Sequence, residues 1–137
     1  MRLKSKRATA AQPAGSRGWA YLAGFLTLAG LLHFIAPHLY RPLIPDRLGD
    51  PDPWVYGSGV AEMAVGAALI PRRTRRPAAI TAAVLFVVVF PGNLQMAWDA
   101  RDGTLMRQLA TLARLPLQGV LIWWALRVAA SADRRSP

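Results

Sequence analysis

The chain contains no cysteine. That removes disulfides, thiol redox chemistry and thiolate metal sites from its chemistry. Histidine is almost as scarce, with only His33 and His38. Acidic residues number seven against seventeen basic ones, which leaves a net charge of +10 over 137 residues. A Gly-rich phosphate loop, a nucleophile elbow and a metal-ligand pair at helical spacing are all missing. The chain therefore does not read as an enzyme by itself, and it offers no intrinsic cofactor site. The length suits one domain.

Apolar residues, by contrast, make up 53% of the sequence. A basic, apolar-rich chain is either a nucleic-acid binder or a membrane protein with cationic loops. The distribution decides between them. Basic residues come in bursts separated by long apolar stretches, and no DNA- or RNA-binding module is visible, so no nucleic-acid partner is expected.

A membrane helix needs roughly 20 mostly apolar residues. Four stretches qualify or nearly qualify, at about 19–36, 54–70, 78–98 and 109–126. The first stops at Pro37, the second at Pro71 before an arginine cluster, and the fourth at Arg127. The second is short and carries Glu62, and the third meets Pro91, so either reads as a kinked or re-entrant segment if not a plain span. The first follows a basic leader but is long for a signal sequence and lacks a clean cleavage site, so it reads as a retained helix. The expected fold is all-α, an integral membrane four-helix bundle spanning 18–130. A disordered basic tail at 1–17 and a short tail at 131–137 flank it.

Twelve of the seventeen basic residues fall in the N-terminal tail, the 72–76 cluster and the C-terminal stretch from Arg127 onward. Basic loops stay in the cytoplasm, which places both termini inside. All five tryptophans, Trp19, Trp54, Trp98, Trp123 and Trp124, fall near span ends, as an aromatic belt does.

With that topology the polar residues within the spans share one depth. His33, Glu62, Asn93, Gln95 and Gln118 all lie in the outer third of the membrane, although their helices alternate in direction. Each is costly in hydrocarbon unless it faces the bundle interior or a wet cavity. Ser58 lies one turn from Glu62, and Gly59, Glu62 and Gly66 share a stripe that lets a neighbouring helix approach. Leu26, Gly30, His33 and Pro37 form a similar stripe on the first span. One reading is a polar ligand pocket with Glu62 as its acid–base or anchoring group. The competing reading is a hydrogen-bond cluster that fixes helix register, and it weighs most for the amides of Asn93, Gln95 and Gln118. The loop from Pro37 to Pro53 holds five prolines and forms a stiff cap over this end. Its Asp46, Asp50 and Asp52 lack the spacing of a metal site.

An ordered set of short strings carries a resemblance. His33-Phe34-x-x-Pro37 is followed by Tyr40 and Ile44-Pro45, then by Val55-Tyr56-x-Ser58-Gly59 and Glu62. Phe90-Pro91-x-Asn93 comes next, then Arg114-Leu115-Pro116-x-Gln118 and Ile122-Trp123-Trp124. Together these resemble the DoxX-like family of small bacterial four-helix membrane proteins, over about Gly24 to Trp124. The resemblance implies a multi-pass protein of the bacterial cytoplasmic membrane. It also implies, for some members, a place in a membrane oxidoreductase assembly. Glu62, His33, Asn93, Gln118, Tyr56 and Ser58 are then the candidates for ligand binding or proton handling. A quinone or another small lipophilic molecule is the expected ligand, and the lipid bilayer, a soluble oxidoreductase and a second copy of the chain are the expected partners. A scaffold or assembly role is the alternative, and a small oligomeric transporter ranks last.

Overall fold

The computed structural model describes residues 17–133. The tail expected to be disordered up to residue 17 falls, apart from Arg17, outside the described residues, as do the last four positions. Within them the fold is all-helical and has no strand. Four α-helices run in order: α1 Gly18–Ile35, α2 Asp52–Ala68, α3 Arg72–Asp99 and α4 Leu105–Asp133. Three single-turn 3-10 helices, Pro37–Leu39, Arg41–Leu43 and Asp46–Leu48, make up the loop between α1 and α2.

Local chemistry sets these boundaries. Pro37 cannot continue α1 and pushes the preceding Ala36 out of the helical region, to φ −134 and ψ 58. Pro53 sits in the first turn of α2, where its missing N–H costs nothing. The carboxylate of Asp50 accepts the Asp52 amide at 3.0 Å at the same helix start. At the other end of α2, Thr74 Oγ1 donates to the Ala68 carbonyl at 2.7 Å. Arg75 donates to Leu69 at 2.9 Å and Ile70 at 2.7 Å. These bonds satisfy carbonyls that the ending helix leaves open. Thr104 Oγ1 accepts the Arg107 amide at 3.3 Å at the start of α4.

Two expected boundaries need correction. The arginine cluster at 72–76 is the opening of α3, not a loop before it. Pro71 precedes the helix in an extended conformation, and nothing in the cluster opposes helix formation once Pro71 has set the turn. Likewise α4 continues to Asp133, so the tail expected from 131 begins as helix. Pro77 and Pro91 lie inside α3, and Pro116 inside α4, without interrupting either helix.

Among the described residues, three helices are long and apolar enough to cross a membrane: α1, α3 and α4. Their outward faces agree. Leu28, Ile35, Val84, Val88, Leu112 and Val120 are each more than half exposed. A water-soluble helix would turn these side chains inward, whereas apolar side chains facing out suit hydrocarbon. The chain is thus a membrane protein. α2, with 17 residues, falls just short of the same measure.

The helices pack closely as two pairs, α1 with α2 and α3 with α4, and α2 meets α3 more loosely. The first pair is joined through glycine. A Cβ on Gly30 would stand 2.6 Å from the Gly59 carbonyl oxygen, and one on Gly59 would stand 2.8 Å from the Gly30 oxygen. Gly66 likewise faces Thr27 Oγ1 at 2.8 Å. α3 presents Ala78, Ala79, Ala82 and Ala83 to the core, small side chains that favour close helix packing.

The apolar core lies toward one end. It gathers Leu22 and Leu26 of the first half of α1, Leu69 just past α2, the alanines of α3, and Ala125 and Val128 late in α4. Arg75 closes that end, with its guanidinium 3.9 Å from the centre of the Trp19 ring. The opposite end, under the 37–51 loop, holds the polar residues.

Candidate functional site

His33 occupies the last turn of α1, and Glu62 lies nearly three turns into α2. The glycine contact between the two helices brings these side chains together. His33 Nδ1 stands 3.6 Å from Glu62 Oε2, with the two side chains 7% and 16% exposed. Nδ1 also lies 2.8 Å from the Ala29 carbonyl oxygen. A carbonyl only accepts, so Nδ1 carries the hydrogen and donates it to Ala29. The Glu62 contact is therefore a long electrostatic one, and Oε2 is buried with no hydrogen-bond partner. A buried, unsatisfied carboxylate oxygen is rare in a native fold and commonly marks a functional group or a bound partner.

Tyr40, from the loop, stacks on His33 with ring centres 3.7 Å apart and planes 23° from parallel. Burial raises the pKa of its phenol above the ordinary 10.0, and the Glu62 charge adds to that, while Arg114 of α4 pulls it down. The hydroxyl is thus a neutral donor at physiological pH, within electrostatic reach of both ionisable groups.

A cavity of about 320 Å³ adjoins this cluster. His33 and Tyr40 stand in its wall with Ser58 and Val55 of α2, and Val88 and Gly92 of α3. Leu43, Ile44, Pro45, Arg47 and Leu48 bring the loop over it, as the proline-rich cap was expected to do. Gly92 makes that fit: a Cβ there would meet the Leu43 carbonyl oxygen at 2.7 Å. The loop itself is fastened by Arg41, which donates from Nε to Asp52 at 2.6 Å and from Nη2 at 3.1 Å. This bidentate pairing lowers the pKa of the Asp52 carboxyl. Trp54 Nε1 adds a bond to the Leu48 carbonyl at 3.3 Å.

Asn93 and Gln118 form a separate pair. Asn93 Nδ2 donates to Gln118 Oε1 at 3.2 Å, and Gln118 Nε2 donates to the Phe86 carbonyl. Pro91 leaves the carbonyl of Val87 without its helical donor, and this amide bridge ties α4 to α3 at the adjacent Phe86. Neither amide lines the cavity. Gln95 is further removed, being exposed and bonded to Asp99 at 2.9 Å.

Of the sequence candidates, then, His33, Glu62 and Ser58 lie in or beside the cavity. Asn93 and Gln118 brace α3 against α4. Tyr56 stacks on Phe34, ring centres 5.4 Å apart, and is not in the cavity wall. Among the described residues no group of three His, Asp or Glu side chains is placed to hold a metal ion, and Asp52 is committed to Arg41. Sequence reasoning passed over Tyr40, Arg47 and Trp54 as pocket residues. Tyr40 carries a signal as part of the family-like strings, while nothing in the sequence pattern marks Arg47.

Family comparison bears on the whole of this arrangement. The model of a family described as Domain of unknown function (DUF8561) matches residues 22–129. The chain belongs to that family. The DUF8561 match runs from Leu22 in α1 to Ala129 in α4, and so includes the cavity, its loop and both polar pairs. No curated protein matches the chain, and no solved structure does.

Proposed function

We propose that this chain is a DoxX-like protein of the bacterial cytoplasmic membrane. It would cross the bilayer four times, with both termini inside, and bind a quinone or another small lipophilic molecule in its loop-side cavity. α2 then serves as the fourth span, shielded by its glycine contact with α1. The observation that carries the reading is Glu62, whose buried Oε2 lacks a hydrogen-bond partner beside a cavity walled by His33 and Ser58. A group arranged in this way is poised to receive a donor from a ligand or to pass a proton.

Reduction of a quinone to its quinol takes two electrons and two protons. Glu62, His33 and the Tyr40 hydroxyl supply a route for the protons. With no cysteine and two histidines, the chain holds no evident redox centre, so the electrons would come from a soluble oxidoreductase docked at the membrane. The chain is in this view the membrane subunit of a redox assembly, alone or as a homo-oligomer.

A scaffold role is the second reading, and the Asn93–Gln118–Phe86 bridge favours it, since those amides spend their donors on holding helices together. Native mass spectrometry with lipid extraction separates the two. Gently purified wild type should carry a quinone or similar molecule that Glu62→Gln, equally well inserted, has lost. Bulk phospholipid alone in both samples would leave the scaffold reading standing.

A further inference from the structure

The cavity wall is unevenly built. α4 contributes nothing to it and α1 contributes only His33, so beneath the loop the space lies between α2 and α3, which pack more loosely than the α1–α2 and α3–α4 pairs. At its inner side stand His33, which is 5% exposed, and the half-buried Ser58. At its outer side stand Trp54, 50% exposed, and Val88, 66% exposed. The same residues that wall the cavity therefore reach the lipid-facing surface, and those that do so on the helices are apolar. The other way out, upward through the loop, passes Arg47, the charged residue of the wall.

Size adds a constraint. Small-molecule sites run from roughly 300 to 1,000 Å³, and this cavity, at about 320 Å³, is at the bottom of that range. It has room for one ring-sized head and none for a long hydrocarbon tail. A tail must leave the site, and leaving past Arg47 would carry it through a charged loop into water, against the hydrophobic effect.

We infer that the cavity opens sideways between α2 and α3, and that its occupant is a tailed amphiphile whose polar head lies against His33 and Ser58 while its chain passes between Trp54 and Val88 into the bilayer. This rests on the pocket reading above and adds a ligand class and a route. Exchange then occurs within the membrane and does not require the loop to lift.

Two probes sharing one head test it: dimethoxymethylbenzoquinone without a side chain, and its decyl derivative. Binding is read by tryptophan quenching in lipid nanodiscs against empty discs, for wild type, Val88→Trp and Arg47→Trp. Val88→Trp places a large ring at the lateral mouth on a face that already points to lipid. It should weaken the decyl probe about tenfold more than the tail-less probe, a difference of about 1.4 kcal/mol. Arg47→Trp should weaken the decyl probe no more than the tail-less one. Equal effects of Val88→Trp on both probes, or selective loss of the decyl probe in Arg47→Trp, would overturn the lateral route. Failure of both probes to bind wild type would instead remove the quinone reading on which it rests.

Discussion

Gly57 and Gly59 lie two positions apart on α2 and meet opposite surroundings. A Cβ on Gly57 has nothing within 4 Å, whereas one on Gly59 would stand 2.8 Å from both the Gly30 oxygen and His33 Cβ. Replacing glycine by alanine in a helix gains roughly 0.5–1 kcal/mol of backbone preference. Overpacking costs roughly 1–3 kcal/mol, and more where the obstacle is backbone that cannot swing aside. Gly57→Ala should therefore leave thermal stability in detergent unchanged or slightly raised. Gly59→Ala should lower it, and should also disturb the His33–Glu62 contact. Equal midpoints for the two variants would mean that α1 and α2 are not held by glycine contact. This stripe was legible in the sequence because Gly59, Glu62 and Gly66 fall on one helical face, opposite Gly30 and His33. The Tyr40 stack on His33 was not legible. It depends on how three single-turn helices fold the loop back, and no periodicity in a proline-rich stretch encodes that path.

At the scale of an element, the 37–51 loop has few means of holding its shape other than its prolines and one clasp. Arg41 and Asp52 are both substantially exposed, so their pairing adds little to global stability. Its effect is local. Arg41→Gln should leave the unfolding midpoint near that of wild type and raise the rate of hydrogen exchange across residues 41–52. The pH dependence follows from the lowered pKa of Asp52. The clasp is complete above the ordinary carboxyl value of 3.8 and is lost only as pH falls through the lower folded value. Exchange in the wild-type loop should thus stay slow from neutral pH to about that value, once corrected for intrinsic rates, and approach the variant's only in stronger acid. Rapid exchange already at neutral pH would show that the prolines alone do not hold the loop and that the clasp is not formed. The helices were more legible than the loop. Apolar length located all four, but both ends of α3 and α4 lie further out than expected. The arginines at 72–76 were read as a boundary because charge leaves the membrane, yet a helix need not stop where the hydrocarbon does.

The whole molecule divides by end. Small apolar residues fill the end of the core near Trp19 and Arg75, and the polar pairs and the cavity occupy the end beneath the loop. The depth comparison in the sequence anticipated this division, since His33, Glu62, Asn93 and Gln118 lie within it at the loop-side end. It did not reveal that they form two separate pairs, because shared depth says nothing about which helix faces meet. The proposed topology makes a direct prediction. Single cysteines introduced at Asp50 and at Gly103 should react with an impermeant maleimide in intact cells, and one at Arg73 should react only after lysis. Labelling of Arg73→Cys from outside would reverse the orientation. Absence of any difference between Asp50→Cys and Arg73→Cys would exclude α2 as a span.

The shortness of α2 has one more consequence if it does cross. Its 17 residues rise about 25 Å at 1.5 Å each, less than the roughly 30 Å thickness of the hydrocarbon layer. Its 28-residue neighbour α3 rises about 42 Å. Lipid on the α2 flank must compress, or headgroups must dip, to meet the shorter helix. The protein would then carry a thinned patch of bilayer on one side only, drawing the water boundary down beside Trp54 and shortening the distance between a proton in solution and the carboxylate of Glu62.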